Sequence, residues 1–180
     1  MNFDVNDFRR RYPELKPYEG ENYKVAQQHN CLLLVIGESH YLPEDSTIHK
    51  DCDMWYASDD TKLNDDEKGF INTSTLINTD CDKKSFQAEH GIYKYGYQAI
   101  NQNQYGPNFD DFTTLFKYTV FYNFYLRPAN KGNTFRELLT EKDNIIANIN
   151  FKYMLEQYRP NGIIFLSCFA FDCCWERQVS

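Results

Sequence analysis

The segment CLLLVIGESHY, from Cys31 to Tyr41, consists of a continuous apolar run that is followed directly by a glycine and several polar side chains. The run Leu32–Ile36 lacks the alternation of a half-buried strand, so it predicts a strand covered on both faces, as in the middle of an α/β sheet. Gly37 then allows the backbone to turn sharply. Ligands of open α/β sheets bind outside the carboxyl ends of the strands, so we expect a site in residues 38–41. The alternative is a polar loop that only follows a core strand.

The composition indicates a folded domain with no general affinity for nucleic acid. The 180 residues, of which 42% are hydrophobic and 17% aromatic, suit a single domain over residues 1–180 with its own core. The formal net charge of -7 opposes attraction to the phosphate backbone. Basic runs are more often solvated helix faces, and we interpret Arg9–Arg11 in this way. Four basic residues that are separated in the sequence could still lie close together in the folded protein and form a basic patch. They are Lys117, Arg127, Lys131 and Arg136.

The cysteines and the first residues suggest the cellular context. The six cysteines include no CxxC pair, so we expect free thiols, no metal site and no cofactor. The first ten residues carry acidic groups and no apolar segment, which is not the pattern of a secretory signal. No segment is long enough to span a membrane. These features predict a cytoplasmic protein.

Strand and helix signals alternate along the rest of the chain. TVFYNFY at residues 119–125 predicts a second strand, in which Asn123 is the one strongly polar member. Thr140 is a suitable N-cap for a helix over Glu141–Tyr158, and Ile163–Leu166 predicts a further buried strand before a final helix. This order is typical of a parallel sheet with right-handed crossovers.

Other segments give weaker signals. Residues 3–12 predict a short amphipathic helix, and residues 84–103 and 109–118 predict further helices. The polar and acidic residues 43–68 predict an excursion outside the core, of the kind that is often functional or mobile.

Three pieces of the sequence resemble the uracil-DNA glycosylase superfamily, over residues 31–175. LLLVIGESHY resembles its first motif, VFYNFYLRPANKG the strand that carries a pocket Asn, and YRPNGIIFLS its third strand. The pieces are most similar to a bacterial group of glycosylase-like proteins that carry GESHY and FYN motifs. The resemblance implies a three-layer α/β/α sandwich with a short parallel central sheet. It also implies DNA repair by N-glycosidic hydrolysis of a damaged or deaminated base.

The resemblance implies roles for particular residues. Asn123 would read the Watson–Crick edge of a flipped base, because an amide offers a donor and an acceptor together. Glu38 or Ser39 would position water, and His40 would stabilise the negative charge that develops on the departing base. The implied substrate-binding set also includes Gly37, Tyr41 and Arg127.

Departures from the family pattern leave an alternative open. The water-activating Asp of the family falls on Ser39, which is no base at neutral pH without a partner. An iron–sulfur ligand of one branch falls on Leu126, so no cluster is expected. The second catalytic motif of the family, a His-Pro-Ser-type loop, falls beyond residue 180, which predicts either a truncated chain or a lost activity. The alternative is a catalytically inactive relative that binds a nucleotide, a small molecule or a protein partner.

The neighbours Ser39 and His40 also suggest a serine esterase. Adjacent residues rarely align as nucleophile and base, and the sequence has no GxSxG elbow. The sequence therefore favours the other two hypotheses.

Overall fold

The computed structural model describes residues 3–80, 116–130 and 135–176. They form a mixed α/β structure around a four-stranded, mostly parallel sheet, which confirms the predicted α/β class. The predicted helix over residues 84–103, and most of the one over residues 109–118, lie outside the described residues.

The main sheet is built around the predicted central strand. The strands of the described residues are β1 (Tyr18–Glu19), β2 (Leu33–Gly37), β3 (Tyr41–Leu42), β4 (Thr119–Asn123), β5 (Ala129–Asn130) and β6 (Gly162–Phe165). In the main sheet they lie in the order β1, β4, β2, β6. β2 pairs in parallel with β4 and with β6, whereas β1 pairs with β4 antiparallel. A second sheet joins β3 and β5 in parallel. The apolar run of β2 therefore lies between two parallel neighbours, as its lack of alternation predicted.

Local capping signals decide where the longest helix begins. The helices of the described residues are α1 (Val5–Arg11), α2 (Tyr23–Gln28), α3 (Cys52–Ala57), α4 (Asp65–Ile71), α5 (Thr73–Asp80), α6 (Glu141–Tyr158) and α7 (Cys168–Glu176). Thr140 accepts a hydrogen bond from the backbone N–H of Asp143, whose carboxylate accepts in turn from the Thr140 N–H. This capping box begins α6 at the predicted residue. Within the described residues, no helix is long and apolar enough to cross a membrane.

Helices α6 and α7 pack on one face of the sheet. The shared apolar core includes Leu34 and Ile36 of β2, Val120 and Tyr122 of β4, Phe151 and Met154 of α6, and Ala170 of α7. Burial of such a set is the main favourable term in folding. It also holds the carboxyl ends of β2, β4 and β6 at one edge of a rigid sheet.

Residues 43–68 are not the excursion that their polarity predicted. Trp55 of α3 is fully buried, and its ring stacks on that of Tyr12 with 4.6 Å between the centroids. The prediction was wrong because a helix is anchored by a few apolar residues on one face. The acidic residues between them, such as Asp53 and Asp65, face solvent.

Candidate functional site

The strand order makes the carboxyl edge of the sheet the expected place for a ligand crevice. The chain runs from β2 to β4 on one side and then crosses to β6 on the other side. Ligands of open α/β sheets bind where the strand order reverses in this way. The chain after β2 is tied to the chain after β4, because the N–H groups of Phe124 and Tyr125 donate to the carbonyls of Gly37 and Glu38 over 3.0 and 2.9 Å. Side chains from three strand ends therefore share this edge.

Glu38 and Ser167 meet across the crevice. The Ser167 hydroxyl donates to Glu38 Oε2 over 2.6 Å, and it accepts from the Ala170 N–H in the first turn of α7 over 3.2 Å. These two bonds fix the direction of the hydroxyl, because it has a single proton. Glu38 is only partly buried. Its carboxylate is therefore held in place and still open to water or a ligand.

Gly37 and Asn123 are paired positions at the ends of β2 and β4. A Cβ atom on Gly37 would collide with Asn123 Oδ1 and would lie 3.0 Å from Cζ of Phe121. Gly37 therefore leaves the room that the Asn123 side chain occupies. Asn123 is 8% exposed, and no group in the described part of the chain hydrogen-bonds to its amide. The amide atoms of Asn123 are not among the fully buried, unpartnered polar atoms of the described residues, so they reach solvent and are open to a ligand.

Ser39 and His40 are buried residues of the loop between β2 and β3. Ser39 Oγ has no hydrogen-bond partner among the residues that are described. His40 Nε2 lies 3.1 Å from Oγ1 of Thr73 in α5. Burial lowers the pKa of His40 to about 4, so its imidazole is neutral at pH 7. His40 therefore offers an uncharged hydrogen-bonding group, not a cation.

Tyr41 is the exposed member of the group. It begins β3 and is 43% exposed. Burial of part of the side chain and the charge of Glu38 raise the pKa of Tyr41. The exposed part of the ring is suited to stacking on a planar ligand.

The structure does not bring Arg127 into this group. The residue is fully buried, and its guanidinium forms a bidentate ion pair with Asp143 at 2.9 Å from Nε and 2.5 Å from Nη2. It also donates to the carbonyls of His49 and Leu138. This arrangement ties the loop after β4 to the start of α6. The predicted substrate-binding role of Arg127 gains no support from it.

The four separated basic residues do not converge at the crevice. Lys117 pairs with Glu21 ahead of β4, at the opposite edge of the sheet, and Lys131 lies outside the described residues. Arg136 is exposed, and its guanidinium carbon lies 4.3 Å from the ring centroid of Phe169. Phe169 belongs to the first turn of α7 and lies two residues after Ser167, which bonds Glu38. Arg136 is thus an exposed cation at the rim of the crevice.

Sequence reasoning missed Ser167 and Thr73 as members of the site. Ser167 carried a usable signal, because it follows an apolar strand in the way that Ser39 follows β2. Thr73 carried none, since only the packing of α5 brings it to His40.

The described residues contain no group of three or more His, Cys, Asp or Glu side chains that could hold a metal ion. Their cysteines, at positions 31, 52, 168, 173 and 174, are free thiols. Function on a fold of this kind has to be inferred from the chemistry of the site. Comparisons of the chain with protein-family models, with curated proteins and with solved structures found no match.

Proposed function

We propose that the carboxyl edge of the sheet is a nucleobase pocket in a uracil-DNA glycosylase-like α/β/α protein. Its activity would be hydrolysis of the N-glycosidic bond of a damaged or deaminated base in DNA. The observation that carries the proposal is the Asn123 amide, which lies against Gly37, reaches solvent and has no hydrogen-bond partner in the described ranges. An amide in this state suits the paired donor and acceptor on the edge of a base.

The side chains around the base have separate roles in this proposal. Asn123 binds the base edge, and Tyr41 stacks on an exposed ring face. Glu38, held by Ser167, orients the attacking water and accepts its proton. Neutral His40 donates a hydrogen bond to the base as negative charge develops on it. The glycosidic C–N bond breaks, its electron pair leaves with the base, and the water oxygen bonds to the sugar carbon.

Ser39 stands where the glycosylase family that the sequence resembles has its water-activating Asp. A serine hydroxyl does not act as a base at neutral pH, so the proposal assigns proton removal to Glu38. The Ser39 hydroxyl, unpartnered among the described side chains, would bond the same water as a second anchor.

Removal of the Asn123 amide tests the proposal directly. Single- and double-stranded oligonucleotides with uracil, hypoxanthine or xanthine are incubated with the protein at low salt, and abasic sites are scored by alkaline cleavage. We expect wild-type protein to release at least one base. Asn123→Ala should slow that release by about 10- to 100-fold, because a hydrogen bond lost at a desolvated site costs about 1–3 kcal/mol.

The matched control is Asn78→Ala, which removes an exposed amide on α5 and should leave the rate unchanged. Thermal melts establish that both variants are folded. Release that is equally fast in Asn123→Ala, or no release and no binding by the wild type, would contradict the base pocket.

The second candidate is a catalytically inactive relative that binds a nucleotide or a small molecule. Ser39 at the Asp position and the net charge of -7 favour it. Binding of a base or nucleotide without release, lost in Asn123→Ala, would select this candidate.

A substitution of Arg136 tests whether the ligand is a nucleic acid with a phosphate backbone. Arg136→Gln is expected to weaken binding to oligonucleotides and to lower the slope of log affinity against log salt by about 1, as for one lost phosphate contact. The measurement is fluorescence anisotropy over a series of salt concentrations. Arg159→Gln is the control, because Arg159 is exposed at the other end of the sheet, where α6 ends ahead of β6. If the slope of log affinity against log salt is the same in Arg136→Gln and wild type, Arg136 does not contact the oligonucleotide.

A further inference from the structure

Arg9 of α1 is a buried cation with no acidic partner among the described residues. It is 7% exposed, so the solvated face predicted for Arg9–Arg11 is wrong at this residue. Its Nη2 donates to Asn150 Oδ1 over 2.8 Å and lies 3.0 Å from Met154 Sδ. Its guanidinium carbon lies 5.1 Å from the ring centroid of Tyr153. No carboxylate of the described ranges lies within 4.0 Å of this guanidinium.

Three polar atoms in this region lack a hydrogen-bond partner within the described ranges. They are Arg9 Nε, Asn150 Nδ2 and Tyr122 OH, and we call these residues the Arg9 cluster. Asn150 is fully buried and Tyr122 is 2% exposed. Tyr122 belongs to the same apolar core as Met154, whose Sδ lies 3.0 Å from Arg9 Nη2. Each of the unpartnered atoms carries a hydrogen, so what they need in common is an acceptor.

We propose that the Arg9 cluster binds a small monovalent anion of the halide class, between α1, α6 and β4. A single anion accepts hydrogen bonds from several directions, and it neutralises a guanidinium that would otherwise be buried without a counter-charge. A water molecule would leave that charge uncompensated, and its own two hydrogens would face a set of donors. A phosphate or carboxylate brings further oxygens, each of which would need donors that the cluster does not supply. This inference is independent of the proposed base pocket.

Halide-dependent stability tests the proposal on the full chain. The midpoint of thermal unfolding is measured in sodium chloride, sodium bromide and sodium gluconate at equal ionic strength. An anion that binds only the folded protein should raise the midpoint by about 3–5 °C for each tenfold increase in halide above its Kd. Gluconate is a much larger anion than chloride or bromide and should give no such increase. Equal midpoints in the three salts would overturn the proposal.

Asn150→Asp provides a second test with a different readout. It places a carboxylate of nearly the same shape beside Arg9 Nη2, so the protein then supplies its own counter-charge. We expect the halide dependence of the midpoint to disappear, together with the broadening of the chloride NMR line that wild-type protein causes. Asn148→Asp, the same change at a partly exposed position of α6, should retain both effects. Halide dependence that persists unchanged in Asn150→Asp would exclude the Arg9 cluster as the site.

Discussion

Arg127→Met is expected to lower the free energy of unfolding by about 3–5 kcal/mol, because it leaves the Asp143 carboxylate buried without its counter-charge. Both side chains of this pair are fully buried. Burial alone would raise the pKa of Asp143, but the hydrogen bonds from Arg127 and Thr140 outweigh burial and lower it. The pair therefore stays ionised in the folded protein. Urea unfolding followed by circular dichroism measures the loss.

A double-mutant cycle separates the pair from its surroundings. Asp143→Asn should also be strongly destabilising, whereas Arg127→Met with Asp143→Asn should cost less than the two single changes together, since no unpaired charge remains. The control is Asp53→Asn, which breaks the ion pair to Lys142 beside the same helix start. Asp53 is largely exposed, so this change should cost less than about 1 kcal/mol.

The same variants decide between a structural role and a ligand-binding role for Arg127. If Arg127 bound substrate, Arg127→Met would weaken ligand binding with little change in stability. If Arg127 instead holds the loop after β4 to α6, the main effect of Arg127→Met is a loss of stability. Unfolding curves of Arg127→Met that match those of the wild type would contradict the structural assignment.

Acid is expected to destabilise the protein by about 3 kcal/mol between pH 6.5 and pH 4 through His40. Burial lowers the pKa of His40 from 6.5 to about 4, so the unfolded chain binds the proton more readily than the folded one over this range. Stability is therefore complete above pH 6.5 and falls as pH decreases, at about 1.4 kcal/mol for each pH unit. The pKa of buried His49 is lowered by burial as well, so it adds a loss of the same sign.

His40→Gln should flatten this dependence. Glutamine places an amide group close to the position of Nε2 and keeps the contact to Thr73, but it does not titrate. The free energy of unfolding of both proteins is measured at a series of pH values from 7 down to 4. Parallel curves for wild type and His40→Gln would show that His40 is not the group that takes up the proton.

Local signals were sufficient for the central strand and the longest helix, whereas the strand predicted as buried over Ile163–Leu166 is an edge strand in which Ile163 is exposed. The apolar run of β2 predicted a central strand, and a central strand it is, because covering both faces removes the need for alternation. The helix over Glu141–Tyr158 was predictable to the residue, because its capping box is complete within four positions. The strand predicted over residues 119–125 ends earlier, at Asn123. Beyond it, the backbone N–H groups bond the loop after β2, which no local pattern reports.

Charged side chains were the hardest to place from sequence. The sequence predicted a solvated position for Arg9 and a substrate-binding role for Arg127, yet both side chains are buried. Their partners belong to α6: Asn150 is 141 residues from Arg9 in the chain, and Asp143 is 16 residues from Arg127. Whether a charged side chain is buried depends on the groups that tertiary packing brings next to it. Local propensity does not include the free energy of desolvating and pairing that charge.

For this protein, the sequence by itself determined the α/β class, the central strand and the position of a polar cluster at its carboxyl end. These features follow from hydrophobic periodicity and from capping, which act between residues close in the chain. Only the tertiary structure decided which polar side chains from different strand ends contact one another. It set Ser167 against Glu38, left the Asn123 amide without a partner among the described residues, and made His40 neutral by burial. The physical reason is that hydrogen bonding and desolvation depend on groups brought together by packing, whatever their separation in sequence.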